Sequence, residues 1–183
     1  MRNLALLVVM LLWAFCAHAA SIEPVKASVF ATEDGYALSA DFAIDLGPRV
    51  EDTVSHGVPL YFNLELEVTR PRRYWIDEHI LSHALTYRLS YNALTRQFRL
   101  STGGLHRSFD TLSDALRAMG RIAALPIADK NTFKTGEHYE MALRLALDHS
   151  QLPKPFQIDA IASRDWQIDA KVLNWQMTAG EVK

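Results

Sequence analysis

Glu78-His79-Ile80-Leu81-Ser82-His83 sets two histidines four residues apart. On a helix that spacing puts both imidazoles on one face, as in zinc hydrolases, and Asp77 stands near enough in sequence to be a third ligand. Here the glutamate precedes the first histidine, so the His-Glu-x-x-His order is absent. No orienting partner is visible for either ring, and the favoured reading is a surface connector between strands with no metal assigned. Glu65 and Glu67 share one side of a strand, and paired carboxylates can divide acid and base roles. Ordinary alternation of a half-wetted strand already accounts for them. Ser108 lies between His106 and Asp110, but a triad is a matter of geometry. The chain has no Gly-x-Ser-x-Gly elbow and no glycine-rich phosphate loop, and Gly103-Gly104 reads as a turn. No catalytic residue and no cofactor is expected.

Binding chemistry is better represented. Arg70-Pro71-Arg72-Arg73-Tyr74-Trp75 combines guanidinium forks with two aromatic rings. Arginine grips carboxylate or phosphate in a bidentate fashion, and Tyr and Trp are frequent interface anchors. Arg70, Arg72, Arg73, Tyr74 and Trp75 are therefore the expected partner-binding residues. The competing reading is a solvated strand end whose arginines stack on Tyr74 and Trp75. Tyr36, Tyr61, Trp166 and Trp175 open a second function, a groove for lipid, glycan or a small molecule between sheets. Burial in the core is the more ordinary fate of tryptophan.

The elements that must carry these residues follow from periodicity. Val25 to Thr32 reads as a strand, Glu33-Asp34-Gly35 as a hairpin turn, and Tyr36 to Asp45 as a strand with one buried face. Pro48 to Ser55 suits a short helix, with Pro48 in the first turn and Glu51 and Asp52 favourable near its N-terminus. Leu60 to Thr69 is the clearest strand, with Phe62, Leu64, Leu66 and Val68 on one face. His83 to Tyr91 and Arg96 to Ser101 form a second hairpin across Asn92-Ala93-Leu94-Thr95. Asp110 to Met119 reads as a helix, with Thr111 and Asp114 spaced as a capping box and Gly120 as its stop. His138 to Leu147 returns to strand. Pro153-Lys154-Pro155 is expected to be extended or a turn, because proline fits neither a ladder nor a helix interior. Phe156 to Ser163 is open between strand and short helix, and Trp166 to Val172 favours a strand. The sum is a mainly β, antiparallel sandwich of immunoglobulin-like architecture with one or two short helices. The Cys-Trp-Cys pattern of true immunoglobulin domains is missing.

Arg2, the apolar run Leu4 to Phe15 and Ala17-His18-Ala19 have the three parts of a secretory signal peptide. The run is shorter than the ~20 apolar residues of a membrane span. The expected organisation is a signal peptide over 1–19 and a single β-rich domain over 20–183, exported to the periplasm or cell envelope. Membrane contact is expected only through an uncleaved signal segment. Trp13, Ala14 and Phe15 before Cys16 do not fit a lipidation site. Cys16 is the sole cysteine, so a cleaved chain has no disulfide, thiol nucleophile or thiolate metal site. The formal net charge of −2 gives no basic footprint for nucleic acid.

Several strings taken jointly resemble an uncharacterised family of exported proteobacterial proteins, domain of unknown function 4390. They are Arg70-Pro71-Arg72-Arg73-Tyr74-Trp75-Ile76-Asp77-Glu78, Tyr87-Arg88-Leu89-Ser90-Tyr91, Leu94-Thr95-Arg96-Gln97-Phe98-Arg99, Leu147-Asp148 and Leu152-Pro153-Lys154-Pro155-Phe156-Gln157. The resemblance implies an envelope location and supplies no catalytic residues. Members of that family are often encoded beside a membrane sensor kinase of the nitrogen-regulation type, so the resemblance points to envelope signalling. The expected function is thus a non-enzymatic module that binds an envelope protein. Lipid, glycan or small-molecule binding is the alternative, and a metal-dependent hydrolase comes third.

Overall fold

Alternation of large apolar and polar side chains organises the centre of the chain. In β3 (Leu60–Arg70), Leu60, Phe62, Leu64, Leu66 and Val68 are buried, while the intervening residues meet solvent. In β8 (His138–Leu147), Tyr139, Met141, Leu143, Leu145 and Leu147 are buried in the same way. The two strands pair antiparallel, from Phe62 opposite Leu147 to Thr69 opposite Glu140. A one-residue slip would turn every one of these side chains to water, so the pattern fixes the register. The computed structural model describes residues 20–72 and 74–180. The expected signal segment, with Cys16, and Arg73 lie outside the described residues.

The fold is mainly β and has two sheets. The remaining strands are β1 (Ser21–Ala31), β2 (Gly35–Asp45), β4 (Glu78–Asn92), β5 (Gln97–Thr102), β6 (Leu105–Phe109), β7 (Arg121–Asp129), β9 (Asp169–Ala170) and β10 (Leu173–Thr178). One sheet has the order β7-β2-β1-β9 and the other β10-β8-β3-β4-β5-β6. Among the described residues every pair is antiparallel except β1 with β9. The inward residues of both sheets join one buried cluster that runs from Ile22, Leu38 and Phe42 to Phe62, Leu89 and Leu143.

Three α-helices are described, against the one or two expected: α1 (Gly47–Ser55), α2 (Leu112–Gly120) and α3 (Lys154–Ala162). α2 follows its sequence signals. Thr111 Oγ1 accepts from the Asp114 backbone N–H at 3.1 Å, and Ala115, Leu116 and Met119 are buried. Gly120 ends it for a different reason than a left-handed cap. A Cβ there would stand 2.6 Å from the Phe42 carbonyl oxygen, so the glycine lets helix and sheet touch backbone to backbone. Gly35 works similarly, because a Cβ would meet the Ala128 carbonyl oxygen at 2.1 Å.

Other expectations are corrected. Pro155 lies in the first turn of α3 with Pro153 as its N-cap; first-turn N–H groups have no intrahelical acceptor, so nothing is lost there. α1 starts at Gly47, which leaves no acidic residue in its first turn. Glu51 sits one turn in, where burial and then Asp45 push its carboxyl up from the ordinary value; it opposes the local charge pattern. Gly103-Gly104 is a turn into β6, which the alternation did not announce. β7 was also unread. Of the segment Trp166 to Val172, only Asp169–Ala170 is strand, and Trp166 sits in a 3-10 turn.

Candidate functional site

β3 and β4 form a long hairpin, and its far end carries the segment singled out above. Arg70 lies opposite Glu78 in the register. Arg70 donates through Nε to Glu78 Oε2 at 3.0 Å, and its Nη2 also binds that oxygen. Arg72 Nη2 reaches the same oxygen at 2.7 Å. The Arg72 backbone N–H donates to Asp77 Oδ1 at 3.3 Å. The hydrogen bond from Arg72, then that from Arg70, holds the Glu78 carboxyl below its ordinary value. Two of the three expected contact arginines thus pair with Glu78 and brace the turn, Arg72 while still exposed, and Asp77 closes that brace.

The apolar side chains that follow meet solvent. Tyr74 is 86% exposed, Trp75 80% and Ile76 94%. The described cation–π pairs are Arg88 over Tyr61 and Arg107 over Phe109, so neither Arg70 nor Arg72 stacks on the tip. Ile76 was missed as a site residue. Its signal was present, as an isoleucine between aromatics and a charged pair in a segment too short to be strand. Three consecutive large apolar residues in water are an uncommon surface for a soluble domain, unlike an isolated exposed leucine.

The chain matches the Domain of unknown function (DUF4390) family over residues 19–176. It belongs to that family. No curated protein and no solved structure matches it.

A second feature of this DUF4390 domain adjoins the hairpin. β5 pairs with β4 only from Tyr87 to Asn92. The earlier part of β4 is bonded on its β3 side alone, and β7 is an edge strand of the other sheet. α2 packs against β2, β5, β6 and β7 and so closes one half of this side. The other half is a cavity of about 670 Å³ lined by β4, β2 and β7. His83 reaches into it from β4, and its Nε2 is enclosed without a hydrogen-bond partner.

The other candidates are dispersed. His79 and His83 lie on a strand, not on a helix or a connector, and His79 Nε2 is 2.8 Å from Ser82 Oγ. Among the described residues no group of three or more His, Cys, Asp or Glu is arranged to hold a metal ion. Glu65 pairs with Arg144 at 2.8 Å. Asp110 accepts from Gln97 Nε2 at 3.0 Å while His106 and Ser108 stand exposed on β6. Trp166 is fully buried and donates from Nε1 to Asp159 Oδ2 at 2.9 Å. Tyr36 packs edge-on to Phe133, Tyr61 lies on the opposite face of β3 from the core, and half-buried Trp175 is on β10. These four aromatics do not meet in one groove. No described helix is long and apolar enough to cross a membrane.

Proposed function

We propose that the protein is an exported, non-enzymatic module of the bacterial envelope that binds a partner protein through the tip of the β3–β4 hairpin. One observation carries this reading: an apolar tip of Tyr74, Trp75 and Ile76 stands in water on a base braced by Arg70, Arg72 and Glu78. A braced loop presents its side chains with little ordering left to do on binding. Aromatic residues held this way are the usual energetic centre of an interface. Arg73, outside the described residues, stays in this proposal as an expected contact residue on its sequence alone. Periplasmic or envelope location belongs to it too, on the strength of the apolar leader and Ala17-His18-Ala19. So does a membrane sensor kinase as the partner to test first. The immunoglobulin-like description is likewise proposed; two mainly antiparallel sheets around one core support it, and the parallel β1–β9 pair departs from it.

The test places a photo-crosslinking amino acid at position 75 and irradiates living cells. Adducts to one or a few envelope proteins are expected. Adducts to lipid alone, or none above those of a crosslinker at exposed Leu105, would end the reading.

A further inference from the structure

We propose that the cleft between β4 and β7 receives an extended segment of a partner polypeptide, which adds to the open edge of β4 as a strand. This rests on reading the protein as a partner-binding module, and it names the chemistry of what is bound.

The backbone makes the first argument. From Leu81 to Thr86, β4 is paired only with β3. No backbone–backbone hydrogen bond from a turn, loop or neighbouring element reaches these residues among those described. A row of unpaired N–H and C=O groups is a template for another strand, and proteins usually blunt it with proline, charge or a bulge. β7, across the gap, is blunted in this way. It carries Pro126, register shifts beside Ile127 and near Ala124, and a positive φ of 49° at Ala124. The Ala124 N–H is turned inward to Ser39 Oγ at 3.2 Å. Leu81-Ser82-His83-Ala84-Leu85-Thr86 contains neither proline nor an acidic or basic residue apart from the imidazole. Six residues span ~20 Å, an ordinary strand length. β4 has one register shift of its own, at Ile80 just before this run, and none from Leu81 to Thr86, so an added strand bonds to β4 there and only packs against β7.

The side chains make the second. The cleft wall holds Tyr36, Ala37, Leu81, Pro126 and Ala128, small or apolar surfaces suited to a β-branched residue. His83 Nε2 is enclosed and unpartnered there. A buried nitrogen in that state is costly, and a turn of the His83 ring that brings Nε2 to the cleft lets a serine or threonine hydroxyl satisfy it in either tautomer. Asp34 and Asp129 line one end, and neither is in an ion pair among the described residues. The occupant is therefore a β-branched strand whose single charge is a lysine or arginine at the Asp34 end, with a hydroxyl facing His83. Main-chain bonds would supply affinity and alternate side chains selectivity, as in other strand-addition complexes.

The probe is a displayed library of random peptides panned against the purified protein, followed by amide hydrogen exchange with the enriched peptides. Expected are alternating apolar sequences with a terminal basic residue that slow exchange over 81–86. N-methylation of alternate peptide amides should weaken binding at least ~10-fold, about 1.4 kcal/mol. His83→Leu should weaken it similarly and His83→Gln less, while Leu105→Ala, at an exposed position on β6, leaves it unchanged, each variant first matched to the parent in melting temperature. Failure to enrich, protection elsewhere, or concentration-dependent protection of 81–86 without peptide would overturn the inference, the last assigning the edge to a second copy. A small molecule retained in the cleft would overturn it too. Loss of peptide binding with intact adducts from position 75 would remove this inference and leave the proposed function standing.

Discussion

Trp75→Ala is the perturbation that most sharply separates a docking surface from an incidental exposed ring. A tryptophan can bury ~250 Å². At 80% exposure about 200 Å² of that remains to be covered by a partner, worth ~5 kcal/mol at ~25 cal/mol per Å². Ordering the side chain offsets ~1 kcal/mol, and measured truncations at interface centres run ~2–4 kcal/mol. A loss of about 3 kcal/mol is expected, roughly 100-fold in affinity. The fold should scarcely register the change, since exposed substitutions stay within ~0.5 kcal/mol and ~2 °C. The assay is quantitative crosslinked capture of envelope proteins by tagged wild type, Trp75→Ala and Tyr74→Ala/Trp75→Ala, with thermal denaturation of each. Full capture by the double variant at unchanged melting temperature would refute the reasoning, because no other described residue presents a comparable ring at that end.

Glu78→Gln should loosen the hairpin tip at neutral pH without unfolding the domain, read as faster amide exchange over 70–78. In the parent the carboxyl is held below its ordinary value by Arg72 and Arg70. The brace is therefore complete above the unfolded value of about 4.5 and is lost as pH falls through the lowered folded value. After correction for the intrinsic pH dependence of amide exchange, acid should thus lower protection over 70–78 in the parent and leave that of the Gln variant unaffected; identical protection profiles would be the adverse result. Gly120→Ala forces a Cβ to within 2.6 Å of the Phe42 carbonyl and should cost ~1–3 kcal/mol by overpacking, read as a lower denaturation midpoint. Gly104→Ala meets nothing within 4 Å and should be neutral within ~0.5 kcal/mol. Trp166→Phe removes the indole N–H from Asp159 and opens space beside Phe156, which lies 5.8 Å away between ring centroids. It should lower the melting temperature measurably, whereas Trp175→Phe on its half-buried strand should do so less.

What could be read from sequence follows where water lies. β3 and β8 each have a wet face and a dry face, so Phe62 to Val68 and Tyr139 to Leu147 declare their pairing by alternation alone. β7 has the same length as an ordinary strand, yet its bulges and Pro126 break the period-two pattern. The features that blunt an edge also hide it from a reading by periodicity. α3 was ambiguous because it has no buried residue and Ile158 and Ile161 face solvent. It is held by partners outside the helix, through Asp159 to the distant Arg49 at 3.0 Å and to Trp166 a few residues on. The site divides similarly. Residue types at 70–75 named the tip, but the direction of the arginines depends on the Arg70–Glu78 register across the hairpin. The cleft depends on where β5 stops along β4, which no local pattern encodes.

That register changes the chemistry expected of the tip. Free arginines would have drawn an acidic or phosphorylated partner and made binding strongly salt-dependent. With Glu78 accepting from both Arg70 and Arg72, much of that charge is balanced within the turn, and the surface offered outward is Tyr74, Trp75 and Ile76. Salt should therefore act on the brace more than on the apolar contact. Capture by the wild type should fall only modestly, by a few-fold, between low and physiological ionic strength, while capture by Glu78→Gln, with both guanidinium groups released, should become markedly steeper in salt. Equal slopes for the two proteins would mean that Arg70 and Arg72 meet the partner directly and that their pairing with Glu78 is exchanged on binding.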